Sequence, residues 1–268
     1  MEKIKQALEK ARKEREGTSD SMEAPTPPPP APDLDADEGK SIHYTRTRVL
    51  PGAGETMREH RLITSLDNSP YTEAVRIMGT QVLKRMEENG WSSIMVASPR
   101  TKAGTTTMTL NLGLSIARQI DYTVLTVDAN LRTGLVHEYF GFPQQKGLSD
   151  YLSGDLELQN VLVNPRGVGH FVILPSGTPA SNAPELLRSP KMASLTSELT
   201  SRYPKRIIIF DVPSVLDTAE ALSLASYVDC VLLVVEDDET KQTDLNATIE
   251  MLSDANIIGT VLNKAVSV

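Results

Sequence analysis

The stretch that decides the fold is 91–132, WSSIMVASPRTKAGTTTMTLNLGLSIARQIDYTVLTVDANLR. Two short runs within it are apolar at nearly every position, SIMVA at 93–97 and TVLTV at 123–127. Between them, residues 106–119 have a helical pattern that is entered through threonines. Strands that are apolar on both faces are typical of a parallel sheet covered by helices. The stretch therefore predicts a strand, a crossover helix and a second, parallel strand.

The same alternation continues to the end of the chain. The further apolar runs are FVIL at 171–174, RIIIF at 206–210, CVLLVV at 230–235 and IIGTVL at 257–262. The further helical patterns cover 183–202, 217–227 and 241–254. We therefore expect a doubly wound α/β domain with a mostly parallel sheet over 91–268.

The residues before this domain differ in composition. Residues 1–16, MEKIKQALEKARKERE, carry apolar side chains at helical spacing and predict a short amphipathic helix. Residues 17–42 are rich in Pro, Ser and acidic side chains, which predicts a solvated linker. Residues 43–90 are predicted to lead into the domain and to include an interaction helix.

Composition excludes several classes of protein. The 268 residues carry a net charge of −8, which argues against nucleic acid as a partner. No run approaches the roughly 20 apolar residues of a membrane-spanning helix, and the N-terminus lacks the apolar block of a secretion signal. The single cysteine, Cys230, stands in an apolar run and is interpreted as core filler. The four histidines are widely spaced and so predict no metal site. Because the sequence shows neither a membrane span nor a secretion signal, we expect a cytoplasmic protein.

The loop after the first strand, 98–104, is the place to look for a ligand, because doubly wound sheets bind ligands at the carboxyl ends of their strands. A phosphate-binding loop needs glycines, a lysine just before the helix, and a Ser or Thr hydroxyl for Mg²⁺. Gly104 and Thr106 meet this pattern, but Thr105 stands where the lysine belongs. Taken alone, the loop fits the Thr-rich start of a buried helix better than it fits a phosphate site.

Two carboxylates follow other predicted strands. Asp128 ends the run at 123–127, and Asp211 ends the run at 206–210. Either aspartate alone fits a helix or turn cap. Together with the Thr-lined helix start, the pair favours a site for Mg²⁺ and phosphate.

At this point the chain resembles the bacterial tyrosine kinases (BY-kinases), the cytoplasmic autokinases of exopolysaccharide loci, within the wider P-loop group that includes partitioning and septum-site ATPases. The resemblance covers nearly the whole chain. It rests on KIKQALEKARKERE, YTRTRVL, SPYTEAVRIMGTQVLKRMEENGW, VDANLRTGLVHEYFG with GLSDYLSG, LPSGTPASNAPELLRSP, FDVPSVLDTAEALSLASYVDCVLLVV and GTVLNKA.

The resemblance implies ATP and Mg²⁺ as cofactors and assigns residues to them. The residues that would bind the nucleotide are Lys102, Ala103, Gly104, Thr105, Thr106, Thr107 and Asn263, the last through the adenine base. Thr106, Asp128 and Asp211 would hold the metal, and in an active enzyme the two aspartates would be the catalytic residues.

Three residues and the chain end depart from the family pattern. Thr105 replaces the phosphate-gripping lysine, and Asn130 replaces a second carboxylate. Gly79 replaces the last arginine of the E-x-x-R-x-x-R oligomerisation signature, and the seven tyrosines do not cluster in a tail. Loss of one preorganised charge typically costs about 3–4 kcal/mol of transition-state stabilisation, so ATP binding and turnover are expected to be weakened.

Three functions remain open from the sequence. The first is a BY-kinase-like ATP-binding protein of exopolysaccharide synthesis, with Lys102 as a substitute cation. The second is a pseudokinase that acts as a regulatory docking module, and the third is a partitioning-type ATPase. The resemblance implies a membrane polysaccharide co-polymerase (chain-length determinant) as partner, a homo-oligomer or a hetero-oligomer with an active kinase, and a peripheral position at the inner face of the inner membrane.

Overall fold

The computed structural model describes residues 48–50, 54–63, 69–201 and 205–265. All of these residues belong to the compact unit Ile42–Val268. The amphipathic helix predicted for 1–16 and the linker predicted for 17–42 lie outside the described residues.

The described residues form one eight-stranded sheet in the order β1-β4-β5-β3-β6-β2-β7-β8. The strands are β1 (Arg48–Leu50), β2 (Ser93–Ala97), β3 (Thr123–Asp128), β4 (Val163–Pro165), β5 (Phe171–Leu174), β6 (Arg206–Asp211), β7 (Cys230–Glu236) and β8 (Ile257–Asn263). Neighbouring strands pair in parallel except β4 and β5, which pair antiparallel. The predicted mostly parallel, doubly wound sheet is confirmed, and each of the six apolar runs matches a strand to within one residue.

The helices are α1 (Gly54–Glu59), α2 (Pro70–Asn89), α3 (Thr105–Ile116), α4 (Val136–Tyr139), α5 (Leu148–Ser153), α6 (Ala183–Leu187), α7 (Pro190–Ser201), α8 (Glu220–Ala225) and α9 (Gln242–Met251). The prediction of one helix over 183–202 was wrong, because α6 and α7 are separate. Pro190 has no backbone N–H and disfavours helical geometry in the residue before it, so the first helix ends and a new one begins. None of the described helices is long and apolar enough to cross a bilayer.

Hydrophobic layers cover both faces of the sheet. In β2, Ile94 and Val96 pack into one layer, whereas Met95 and Ala97 pack into the other. All four side chains are fully buried, and burying a side chain of the size of Ile94, Met95 or Val96 contributes about 1.5–3 kcal/mol. The central strands therefore hold the carboxyl edge of the sheet in place.

Helices α2 and α3 pack closely on one of these layers. A Cβ on Gly79 of α2 would lie 2.4 Å from Oγ of Ser115 in α3, so only glycine permits this approach. The buried Asn111 side chain of α3 accepts a hydrogen bond from the Ile63 backbone N–H and donates to the Arg61 carbonyl and the Tyr71 hydroxyl. The segment between α1 and α2 is thereby tied to the helix that starts at the phosphate loop.

Candidate functional site

Four of the six predicted strands extend one residue beyond their apolar run, and the added residue is polar each time. These residues are Asp128, Asp211, Glu236 and Asn263, at the carboxyl ends of β3, β6, β7 and β8. Because these strands run parallel, their polar ends lie along one edge of the sheet. The loop 98–104 leaves β2 at the same edge, between β6 and β7.

Two residues of the loop have a left-handed backbone conformation. Lys102 and Gly104 both have positive φ angles, 70° and 87°. Left-handed residues in such turns direct successive backbone N–H groups to one side, where they can bind an anion. A Cβ on Gly104 would lie 2.2 Å from Nδ2 of Asn263, so this position requires glycine. Lys102 takes the left-handed conformation despite its Cβ, at a cost of about 1–2 kcal/mol.

The three threonines that begin α3 make different contacts. Thr105 donates a hydrogen bond from Oγ1 to Ser98 Oγ at 2.8 Å, so the residue in the lysine position is bound to its own loop. Thr106 donates from Oγ1 to Oδ2 of Asp211 at 2.7 Å. Thr107 Oγ1 lies 3.3 Å from the hydroxyl of Tyr139. Only Thr106 is thus joined to a candidate metal ligand.

Asp128 and Asp211 are opposite each other in the β3–β6 register and only 1% and 2% exposed. Burial raises the pKa of Asp211 to about 6, even though Thr106 and Thr109 donate hydrogen bonds to its carboxylate. Burial, and then the nearby charge of Asp211, raise the pKa of Asp128 well above its usual range. Two buried carboxylates of like charge are stabilised in their ionised form by a divalent cation.

Asn130, at the position where the family pattern has a second carboxylate, makes hydrogen bonds within the turn that follows β3. Its Oδ1 accepts hydrogen bonds from the backbone N–H and the hydroxyl of Thr133, both at 3.2 Å. The side chain is therefore used as a turn cap after β3.

Two consecutive residues at the end of β8, its last residue and the one that follows, bind two consecutive carbonyls of the phosphate loop. Asn263 donates from Nδ2 to the Ala103 carbonyl at 2.8 Å. Lys264 donates from Nζ to the Lys102 carbonyl at 2.7 Å, and the same ammonium contacts Oε1 of Glu236 at 2.7 Å. We call these two residues the β8 clamp. The clamp therefore attaches the end of β8 to the backbone of the loop at residues 102 and 103.

The start of the loop is held by an exposed ionic cluster. Arg100 donates to Asp217 at 2.7 Å and to Asp244 of α9 at 3.1 Å. These carboxylates raise the pKa of the guanidinium, Asp244 first. Asp217 also accepts hydrogen bonds from the Ser214 hydroxyl and the Thr101 backbone N–H. Both ends of the loop are therefore attached to segments that follow other strands.

The structure brings the predicted nucleotide residues 102–107 together with Asn263, and Thr106 together with Asp211. Sequence reasoning missed Ser98, Thr109 and Lys264 as contact residues. Thr109 had a detectable signal, because it follows Thr106 by three residues and so lies on the same helix face. The partners of Ser98 and Lys264 had no such signal.

No protein-family model matches the chain. A Klebsiella pneumoniae protein named as a tyrosine-protein kinase in the cps region is 33% identical over 196 residues, 72% of this chain and 27% of that protein. The kinase domain of the Escherichia coli tyrosine kinase ETK superposes with a TM-score of 0.66 at 26% identity, covering 82% of this chain and 98% of that domain. The septum-site protein MinD from Pyrococcus horikoshii shares the fold, with a TM-score of 0.52 at 23% identity over 63% of this chain and 69% of MinD.

The chain spans about a quarter of the length of the first curated relatives it matches. The nearly complete coverage of the ETK kinase domain identifies which part of such proteins the match concerns.

Proposed function

The chain belongs to the bacterial tyrosine-kinase family, and on that premise we propose that it binds Mg–ATP and transfers the γ-phosphoryl group to tyrosine only slowly. The proposal treats nucleotide binding and fast phosphoryl transfer as two separate properties. Nucleotide binding depends mainly on the loop backbone and on the carboxylates at the strand ends. Fast transfer depends in addition on a lysine that this chain replaces by Thr105.

The observation that carries the binding proposal is the left-handed backbone of Lys102, with φ of 70°. A lysine adopts this strained conformation only where the surrounding contacts impose it. The β8 clamp supplies those contacts through the carbonyls of residues 102 and 103. Retained strain at this position supports a loop that still offers its N–H groups to phosphate.

The residues at the strand ends fit a magnesium ion. Asp128 and Asp211 are buried carboxylates with raised pKa values, and the Thr106 hydroxyl contacts Asp211. Thr106, Asp128 and Asp211 are therefore the proposed ligands, directly or through water. A bound Mg²⁺ neutralises phosphate charge, and Asn263 is the proposed contact to the adenine base.

Slow transfer follows from the contacts of Thr105. Its hydroxyl binds Ser98 and brings no positive charge to the phosphates. Removing one preorganised charge partner typically lowers the rate by about 10²–10³. Lys102 is the proposed partial substitute, because its side chain is exposed on the same loop.

Titration calorimetry of the full chain with Mg–ATP and Mg–ADP, beside Thr105→Lys, tests the proposal. We expect micromolar binding by the unchanged chain and tighter binding by the variant. A phosphotyrosine assay on both proteins should detect slow transfer that increases in Thr105→Lys and decreases in Lys102→Met. Absence of nucleotide binding in both proteins would overturn the proposal.

A second candidate is a regulatory docking module without catalysis. The specific observation in its favour is that both replaced residues have structural contacts, Thr105 with Ser98 and Asn130 with Thr133. Nucleotide binding with no phosphotyrosine, even in Thr105→Lys combined with Asn130→Asp, would favour this function. Partner binding that is independent of nucleotide would support it further.

We also propose the setting in which either function operates. The relatives support a role in polysaccharide synthesis, because one is named for a cps region. The proposed partner is a membrane polysaccharide co-polymerase, which would keep the chain at the inner face of the inner membrane. The proposed surface for self-association, or for association with an active kinase, is α2, where Glu73 and Arg76 pair at 3.5 Å. Co-purification with a candidate co-polymerase tests this setting.

A further inference from the structure

A cavity of about 600 Å³ lies at the far end of α3 from the phosphate loop. Three segments line it: α1 with Ile63 after it, the end of α3 with the residues to Ile120, and the loop 166–170 between β4 and β5. Its size falls in the range of pockets that hold small organic ligands, about 300–1,000 Å³. Because α3 has 12 residues, the cavity and the phosphate loop are separated by about 18 Å.

The floor of the cavity is apolar. Met57, Ile63 and Leu114 line it and are each 3% exposed. Ile120 also lines the cavity, and this side chain is 94% exposed. Ile120 therefore extends the apolar surface of the cleft, and a ligand that covered this surface would gain hydrophobic stabilisation.

The charged residues that line the cavity are all of one sign. They are Arg58, Arg118 and Arg166, with His170 beside them, and none of the described residues that line the cavity is an aspartate or glutamate. The whole chain has 35 acidic and 27 basic residues, so a lining of three arginines without a carboxylate runs against the overall charge. The positive electrostatic potential of three neighbouring arginines attracts an anion.

Arg118 has a simpler explanation, since a cation just after a helix compensates the partial negative charge of the helix C-terminus. The same explanation extends to Arg58, which lies in the last turn of α1, but it does not extend to Arg166 before β5. The three arginines come from three separate segments of the chain, and all three line the cavity.

The loop that contributes Arg166 is held close to α3. Gly167 and Gly169 have positive φ angles of 86° and 71°. A Cβ on Gly169 would lie 2.7 Å from the Ala117 carbonyl, so glycine is needed for this close approach. Arg58 donates from Nε to the Gly54 carbonyl, which orients its side chain along α1. The cavity wall is therefore a built feature of the fold.

We infer that this cavity binds an anionic amphiphile, with an apolar chain on the floor and a phosphate or carboxylate head on the arginines. Guanidinium groups form charge-assisted hydrogen bonds with both kinds of head group. The inference is independent of the proposed function, because the cavity and the nucleotide loop share no lining residue.

Titration calorimetry of the full chain with octyl phosphate below its micelle concentration tests the inference. Octyl glucoside, with the same tail and a neutral head, and inorganic phosphate, with the head alone, are the matched ligands. We expect octyl phosphate to bind at least tenfold more tightly than either. Arg166→Gln and Arg58→Gln should each weaken octyl phosphate binding about tenfold, and Ile120→Ser should weaken it less.

Arg188→Gln is the control variant, because Arg188 is exposed and lies outside the cavity. It should leave binding unchanged, and thermal unfolding of each variant checks that it is folded. Equal binding of octyl glucoside, equal binding of inorganic phosphate, or no binding of octyl phosphate would each overturn the inference. Saturating Mg–ADP should leave octyl phosphate bound, whereas mutual exclusion of the two ligands would contradict the separate location.

Vesicle sedimentation distinguishes the two sources of such a head group. Arg166-dependent sedimentation with phosphatidylglycerol vesicles, but not with phosphatidylcholine vesicles, would identify a membrane lipid. Octyl phosphate binding without sedimentation would identify a free amphiphile. Both results support the cavity as the binding site.

Discussion

At the scale of single residues, Lys102 has a backbone conformation that is unfavourable for a residue with a Cβ atom. Its φ of 70° is a conformation that glycine adopts freely and that other residues adopt at a cost of about 1–2 kcal/mol. The conformation persists because residues 102 and 103 are held through their carbonyls.

Lys102→Gly is therefore expected to stabilise the protein by about 0.5–1 kcal/mol, because the relief of strain exceeds the added chain entropy of glycine. Urea unfolding measures this change. Ala103→Gly is the control, since Ala103 is buried and is not left-handed, and it should lose about 1 kcal/mol. Destabilisation by Lys102→Gly would mean that the lysine side chain, and not the backbone, determines stability here.

Asp217 makes the stability of the loop depend on pH. The hydrogen bond from Ser214, then those from Arg100 and the Thr101 backbone, lower the pKa of this carboxyl below 3.8 against the effect of burial. A carboxyl whose folded pKa is depressed stabilises the fold above its unfolded pKa and loses this contribution as the pH falls through the folded value.

Asp217→Asn should therefore lower the free energy of unfolding by about 1 kcal/mol at pH 7 and by progressively less below pH 3.8. Urea midpoints at pH 7, 5 and 3 measure the difference. Asp155→Asn, at an exposed aspartate, is the control variant and should change the free energy of unfolding little at pH 7. A difference that stays constant down to pH 3 would contradict the assignment to Asp217.

At the scale of elements, the end of β8 contacts the phosphate loop. Lys264 contacts both the Lys102 carbonyl and Glu236, so it connects the ends of β7 and β8 to the loop. Lys264→Met keeps the length of the side chain and removes the ammonium. We expect Mg–ADP affinity to fall about three- to tenfold with little change in unfolding, as one charge-assisted hydrogen bond to an exposed loop is lost. Lys205→Met, which removes another exposed ion-paired lysine, is the control, and equal affinity in the two variants would contradict the role of the clamp.

The contact between α2 and α3 gives a second prediction at this scale. Alanine favours helix by about 1 kcal/mol over glycine, yet Gly79→Ala should destabilise the protein by about 1–2 kcal/mol. The added Cβ would lie 2.4 Å from Ser115 Oγ and 2.9 Å from Ser115 Cβ. The double variant Gly79→Ala with Ser115→Gly should recover part of the loss, and urea unfolding of the four proteins gives the coupling energy. If the changes in unfolding free energy of the two single variants simply add in the double variant, the two residues are not coupled. The helices would then move apart freely to accept the added Cβ.

At the scale of the whole molecule, ligand binding and folding are linked. A ligand that binds only the folded state stabilises it by about 2.7 kcal/mol at 100 times its dissociation constant. For a domain of this size we expect Mg–ADP to raise the unfolding temperature by about 5–10 °C. Removal of Mg²⁺ with EDTA should abolish most of this shift, because Asp128 and Asp211 are then left as unneutralised buried carboxylates. An equal shift with and without metal would contradict their role as ligands.

The sequence predicted the six long strands because each is apolar in its own residues. It missed β1 and β4, which have only three residues each and pair at one side of the sheet. Thr106 and the two aspartates were identified because phosphate loops and strand ends have local patterns. Lys264 was missed because its loop partner, Lys102, is 162 residues away.

The amino-acid sequence by itself determined the doubly wound sheet, the edge at which the site lies, and the absence of a lysine at position 105. These depend on side-chain burial and on spacing along the chain, which are local properties. Only the tertiary structure decided that Lys102 has a left-handed backbone, that the β8 clamp holds the loop, and that three arginines from separate segments line one cavity. The physical reason is that backbone strain and charge clustering depend on contacts between distant segments, which form only when the core has packed.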